Sequence, residues 1–292
     1  MENKEEFKKV SIILPTYNGE KYIRKSIDSC LDQAYNNLEL IIVDDASSKE
    51  VFQIVSSYSD KRIKYLRNEI NLGLAESLNR GFADSIGQYL TWQSDDNFYD
   101  SKAIEIMAKE LNLNREIGFV YSNFYQVDEN GKIKRRIKTS RLKDLDMENC
   151  IGPCFLYKRE VYEQVGNYNQ DFSLAEDYEY WLRASRKFKF KKINDYLCYY
   201  RLHPKSLKSQ NRAYKIEEQA QKASDKFVRP SMKYYHQGKV FFYKKDYKSA
   251  KLSLIKSVAL EPFNLGIWEL LIFVYVAILS PVFAKKIRET IN

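Results

Sequence analysis

Two short clusters in this sequence set aspartates side by side, Asp44-Asp45 and Asp95-Asp96, the latter inside Gln93-Ser94-Asp95-Asp96. Adjacent carboxylates repel each other unless a cation neutralises them, which is the physical case for a metal at Asp95-Asp96. Hard oxygen ligands that share an ion with substrate phosphates suit Mg2+ or Mn2+. The alternative is a solvated Asp-Asp turn leading into a helix near Asp100-Ser101. A mixed acidic pair, Glu176-Asp177, has the composition of a helix N-terminus. Cys30, Cys150, Cys154 and Cys198 form no CxxC pair, and His203 and His236 lie far apart. A structural zinc site is therefore not expected, and a reduced, cytosolic setting is.

The elements that must position these clusters follow from the hydrophobic pattern. Val10 to Leu14 is a continuous apolar run ended by Pro15 and predicts a buried strand. A helix should follow, with Asn18 as N-cap and Ile23, Ile27 and Leu31 on one face. Leu38 to Val43 predicts a second buried strand. A helix near 51–58, a strand at 63–66, a helix at 74–85 and a strand at 89–92 complete the alternation. This pattern implies a mostly parallel α/β sheet with right-handed crossovers. Ligands of such sheets sit outside the carboxyl ends of the strands. Pro15-Thr16-Tyr17-Asn18, Asp44-Asp45 and Gln93-Ser94-Asp95-Asp96 should then converge on one edge. No GxGxxG follows the first strand and no P-loop pattern occurs, so acidic residues and a metal would have to handle any nucleotide phosphates.

From about residue 124 to 205 the segments shorten, with a turn at Glu129-Asn130-Gly131, and Tyr178, Trp181 and Leu182 mark one buried helical face. Residues 212–262 are helical and polar. Gly238, Ala250 and Pro262 are spaced by twelve, which resembles a single tetratricopeptide repeat. Such a unit cannot bury its own face and must dock on something.

The 292 residues, 44% hydrophobic and 30% charged, fit a folded chain of one large or two modest domains. The net charge of +9 is uneven: residues 1–200 carry 30 Lys/Arg against 32 Asp/Glu, residues 201–292 carry 18 against 7. A uniformly basic nucleic-acid binder is thereby disfavoured, and an anionic lipid surface suits the tail better. The charged start MENKEEFKK gives no sign of export. The apolar stretch Leu270 to Ala284 covers roughly 22 Å as a helix, short of the ~30 Å hydrocarbon core.

Taken together, Ser11-Ile12-Ile13-Leu14-Pro15-Thr16-Tyr17-Asn18, Leu40-Ile41-Ile42-Val43-Asp44-Asp45-Ala46-Ser47, Asn71-Leu72-Gly73-Leu74, Gln93-Ser94-Asp95-Asp96 and Glu176-Asp177-Tyr178 resemble glycosyltransferase family 2. The resemblance covers residues 8–205 in the right order. It implies an inverting enzyme of GT-A fold that uses a nucleotide-diphosphate sugar, UDP-sugars favoured. It puts Tyr17 against the base and Asp45 on the base's polar edge, with Pro15, Thr16, Asn18, Asp44, Asn79, Gln93 and Asp95 completing the nucleotide site. It places the metal, Mn2+ or Mg2+, at Asp95, Asp96 and His203. Asp177 is implied as the base that takes the acceptor hydroxyl's proton, since an inverting transfer is one in-line displacement. Two departures stand out: Gln93 replaces the first acid of a common DxD pattern, and Leu78 precedes Asn79 where many members carry Arg.

The expected organisation is a GT-A domain over 1–210, with a nucleotide-sugar half at about 8–123 and an acceptor half at about 124–205. A helical extension over 211–292 ends in an apolar helix at 268–288. The expected function is hexosyl or N-acetylhexosaminyl transfer to a hydroxyl of a glycan or lipid-linked acceptor, in bacterial surface polysaccharide synthesis. The expected place is the cytoplasm or the inner face of the cytoplasmic membrane, with the terminal helix on the membrane or packed on the protein; a homo-oligomer is left open. The other reading is a non-catalytic nucleotide-sugar or glycan-binding scaffold, which the Gln93 substitution favours.

Overall fold

The computed structural model describes residues 8–204 and 213–280. β1 (Val10–Thr16) is buried along its whole length, as a strand covered on both faces by helices requires. It is followed by α1 (Ile23–Leu31), β2 (Leu38–Asp44), α2 (Lys49–Ser56), β3 (Ile63–Arg67), α3 (Leu74–Ala83) and β4 (Tyr89–Trp92). β1 pairs in parallel with β2 and with β4, and β2 with β3, which gives the order β3-β2-β1-β4. The chain order reverses beside β1, and this is where an open α/β sheet leaves its crevice.

Along the chain there follow β5 (Phe98–Tyr99), α4 (Ala103–Leu113), β6 (Ile117–Val127), β7 (Ile133–Ile137), β8 (Phe155–Lys158), α5 (Arg159–Val165), α6 (Glu176–Ser185) and β9 (Lys189–Arg201). β8 runs antiparallel to β4 and β6, β9 lies parallel to β6 and antiparallel to β5, and β7 pairs with β6. The result is a mixed nine-stranded sheet flanked by helices. Its core joins Ile12, Leu14, Leu40 and Ile42 of the parallel strands to Ile23 and Ile27 of α1, the burial that the four-residue spacing calls for.

One local expectation is replaced. α1 starts at Ile23, and Asn18 does not cap it. Asn18 takes a left-handed conformation, φ 53°, its side-chain oxygen accepts the Ser48 N–H at 2.9 Å, and its own N–H donates to Ser47 Oγ at 2.9 Å. The carbonyl of Gly19 instead accepts the N–H groups of Tyr22 and Ile23. Short polar side chains tolerate the left-handed region because they can bond locally, so Asn18 ties the loop after β1 to the loop after β2.

The chain divides into two compact units, residues 1–142, 150–170 and 183–203 in the first, and 143–149, 171–182 and 204–292 in the second. The whole sheet belongs to the first. The second holds α7 (Ala213–Phe227), α8 (Pro230–Tyr243), α9 (Tyr247–Leu260) and α10 (Leu265–Leu279). Pro230 opens α8, Asp246 caps α9 by accepting the Ser249 N–H, and Asn264 caps α10 through the Gly266 N–H. Gly238 permits the α8–α9 approach: a Cβ there would stand 2.7 Å from Leu254 Cγ. The repeat-like spacing of Gly238 and Ala250 thus marks a helix-pair contact. The expected terminal helix is described only to Ser280; its continuation with Lys285, Lys286 and Arg288 lies outside the described residues.

Candidate functional site

The carboxyl ends of β1, β2 and β4 bring the three polar clusters of the first unit together. Thr16 Oγ1 donates to Asp95 Oδ2 at 2.6 Å, and the Asp45 N–H donates to the Thr16 carbonyl at 2.9 Å. Gly19 lies so close that a Cβ there would meet Asp95 Oδ2 at 1.9 Å, so only glycine fits without moving that carboxylate. Tyr17 is 54% exposed and leaves an aromatic ring open for stacking. Pro15 is buried within β1, opposite Val43 of β2.

The two acids after β2 have different surroundings. Asp44 is fully buried; its Oδ1 accepts the Ser47 N–H at 2.7 Å, and its Oδ2 accepts from the Tyr65 hydroxyl and the Arg67 guanidinium. It braces the turn. Asp45 accepts from Asn68 Nδ2 at 2.7 Å and from the N–H groups of Leu72 and Gly73 at 2.8 Å each. The Asn71-Leu72-Gly73-Leu74 stretch therefore presents its backbone to Asp45. Arg67 and Asn68, at and just past the end of β3, were missed by the sequence reading; the strand-end rule that located the other clusters applies to them as well.

Two expected residues stay out of this cluster. The Asn79 amide is closed on the Tyr168 backbone at both ends, at 2.9 and 2.8 Å. Gln93 is 1% exposed, and its amide is turned to the buried Cys198 thiol. The side chains of a strand alternate between faces, so a residue near a strand end can point into the interior while its neighbours reach the crevice.

Asp96 Oδ2 lies 3.0 Å from His203 Nε2, and the His203 ring sits 5.1 Å from that of Tyr22. Arg201, at the end of β9, donates from Nε to the Asp96 carbonyl at 2.8 Å and from Nη1 to the Glu129 carbonyl at 2.6 Å. Burial, with Asp96 alongside, pushes the Asp95 carboxyl up to about 7, against the opposing pull of the Thr16 hydroxyl. Carboxylate oxygens such as those of Asp95 and Asp96 are the donor type that a hard divalent ion takes. Among the described residues no three acid, His or Cys side chains converge to hold a metal unaided. Among the described residues, the expected trio of Asp95, Asp96 and His203 is thus not gathered around one ion position.

In the second unit, Asp177 stands in the first turn of α6. Its Oδ1 accepts the Tyr178 N–H at 2.7 Å and its Oδ2 accepts from Asn149 Nδ2 at 2.8 Å. Asn149 ends the loop 143–149, which the same unit pins from several sides. The Tyr178 hydroxyl donates to the Leu145 carbonyl at 2.8 Å, and His236 Nε2 lies 2.9 Å from the Asp146 carbonyl. Burial pushes the His236 imidazole down to about 4, so near neutral pH it is uncharged and its Nε2 serves as the donor. A Cβ on Gly266 would meet Met147 Cε at 2.5 Å, so the start of α10 closes over this loop. Asn149 carries no sequence signal; only the fold brings it to Asp177.

Glu176 is buried, with its Oε2 unpartnered. Burial, and then the neighbouring Asp177, push its carboxyl up to about 7. Leu174, just before the helix, has φ 74°, a region that costs a non-glycine residue strain.

The profile described as Glycosyl transferase family 2 matches residues 11–166 of the chain. An uncharacterized glycosyltransferase of Rickettsia felis is 32% identical over 190 residues, 61% of this chain and 31% of that relative. Among the curated relatives, the chain thus spans about a third of the length of some that it matches. An Escherichia coli protein, the UDP-Glc:alpha-D-GlcNAc-diphosphoundecaprenol beta-1,3-glucosyltransferase WfgD, is 29% identical over 230 residues, 78% of this chain and 90% of that protein. The fold resembles S. aureus TarS 1-349 in complex with UDP, with a TM-score of 0.61 and 17% identity over 92% of this chain and 90% of the other. It also resembles the mannosyltransferase PcManGT from Pyrobaculum calidifontis in complex with GDP-Man and Mn2+, with a TM-score of 0.63 and 16% identity over 96% and 83%.

Proposed function

The chain belongs to glycosyl transferase family 2, and from that we propose that it is an inverting, metal-dependent glycosyltransferase that moves a hexosyl or N-acetylhexosaminyl group from a UDP-sugar to a hydroxyl of a lipid-linked glycan. The observation that carries this reading is the joining of the three strand ends through Thr16, Asp45 and Asp95. The UDP of the TarS complex and the diphosphoundecaprenol in the WfgD name support the donor and acceptor classes.

In this reading the exposed Tyr17 ring stacks on the base, and Asp45, held by Asn68, Leu72 and Gly73, borders the base's polar edge. Stacking plus a carboxylate that accepts an N–H suits a uracil-like base. Asp95 and Asp96 would hold Mn2+ or Mg2+, with His203 steadying Asp96. When bound, the ion stabilises the negative charge of the departing diphosphate. Asp177 takes the proton of the acceptor hydroxyl as its oxygen bonds to the anomeric carbon and the bond to the diphosphate oxygen breaks, with inversion. The Asn149 amide and the Tyr178 N–H hold that carboxylate in one orientation. The GT-A domain proposed over 1–210 then carries the donor site, and the extension over 211–292 braces the loop that orients the base. The protein works in the cytoplasm, at the inner face of the membrane where a lipid-linked acceptor is presented.

A thermal-shift panel of UDP-, GDP- and dTDP-sugars, each with and without Mn2+, tests the reading. A ligand at a hundredfold excess over Kd adds about 2.7 kcal/mol to the native state. The largest shift is expected for a UDP-sugar with Mn2+, and no shift with any of the panel overturns the proposal.

A further inference from the structure

α10 is apolar on two sides, and only one of them is buried among the described residues. Ile267, Leu270, Leu271, Val274 and Ala277 are buried within the helical unit. On the other side Leu265, Trp268, Ile272, Tyr275 and Leu279 are all exposed, at successive spacings of three and four, so they form one stripe along the helix. Ten of the eighteen exposed large hydrophobic residues among the described residues lie between Leu252 and Leu279. Isolated exposed apolar residues are ordinary, but a continuous apolar surface marks an interaction site.

The cations beside the stripe select its partner. α9 adds exposed Leu252 and Ile255 flanked by exposed Lys248 and Lys256, and Lys251 Nζ lies 4.5 Å from the Tyr275 ring. Residues 244–256 carry five lysines and a single acid, Asp246. Two copies of the chain meeting through this face would set those lysines against each other, which is repulsive. An anionic lipid surface accepts both components: apolar side chains enter the acyl boundary, and each lysine near the headgroups gains from the negative surface potential. No described helix is long and apolar enough to cross a membrane, so this helix would lie on the surface with the protein covering its inner side.

We propose that the exposed face of α9 and α10, centred on Ile272, Tyr275 and Lys251, docks the protein on an anionic lipid surface. The proposal rests on the reading of a lipid-linked acceptor and names the surface that would bring the enzyme to it. The test uses the full chain with vesicles of phosphatidylglycerol, and of phosphatidylcholine as the neutral comparison. The chain should sediment with the anionic vesicles, less so as salt is raised. Ile272→Glu with Tyr275→Glu should lower the bound fraction about tenfold, one order in the partition constant. Both sites are exposed, so an unchanged thermal melt should accompany the loss. Indifference of the parent chain to anionic vesicles overturns the proposal, as does undiminished binding by the double variant. A parent dimer that the double variant makes monomeric also overturns it, with a second copy as the occupant. Calorimetry with a UDP-sugar separates the two readings: its failure counts against donor use and leaves docking to be judged by the vesicles.

Discussion

Asn149 donates its side-chain amide to Asp177 Oδ2 at 2.8 Å, across 28 residues of sequence and within one compact unit. Together with the Tyr178 N–H on Oδ1, this fixes the carboxylate plane. The loop that carries Asn149 is pinned in turn by Tyr178 and His236. The helical C-terminal unit therefore has a structural share in the part of the chain that holds the proposed base.

Asn149→Ala should lower kcat by roughly tenfold to a hundredfold, the worth of one hydrogen bond to a charged group, with donor affinity unchanged. Steady-state kinetics with the donor varied checks the split. A change in donor KM alone would mean that Asn149 does not act through Asp177.

Asp177→Asn keeps the shape and removes the proton acceptor. Turnover should fall by ~10²- to 10⁴-fold while calorimetric binding of the nucleotide sugar survives. Near-parental transfer by this variant would sink the assignment of the base.

Asp96→Ala takes away one proposed metal ligand and the carboxylate that His203 faces. Titration with Mn2+ should show a weaker divalent-ion dependence, and nucleotide-sugar affinity should drop with it. Unchanged donor affinity of the parent protein in saturating EDTA would require a mechanism without a metal.

Glu176 makes stability depend on pH in a stated direction. Its folded pKa, about 7, lies above the ordinary value near 4.5, so between these the folded state holds a proton that the unfolded state has lost. Stability should therefore fall as pH rises from about 4.5 to 7 and level off above that, by roughly 3 kcal/mol at most. Glu176→Gln cannot ionise and should make that slope shallower, leaving the share that the raised Asp95 carboxyl contributes. Denaturant melts of both proteins at several pH values read the difference, and parallel curves would refute the buried-acid account.

The alternation of Val10 to Leu14, Leu38 to Val43 and the intervening amphipathic helices made the α/β core legible, because hydrophobic period and strand burial are local properties of the chain. The same rule put Thr16, Asp45 and Asp95 at one edge, since parallel strands align their carboxyl ends. The antiparallel entry of β8 between β4 and β6 was not legible, because strand order depends on which edges remain free once the first strands have paired. Asn18 is another such case: its capping chemistry is readable, but whether it caps a helix or ties two loops depends on Ser47 and Ser48 coming within reach. Asn79 and Gln93 kept their types and lost their places in the cluster for a related reason: the packing at Tyr168 and Cys198 decides where each amide ends. The amino-acid sequence alone determined the first four strands, the acids at their ends and the repeat-like helix pair. Only the tertiary structure decided that Asn149 meets Asp177 and that one apolar stripe of α10 stays exposed among the described residues, because each depends on contacts between segments whose spacing in the chain carries no periodic signal.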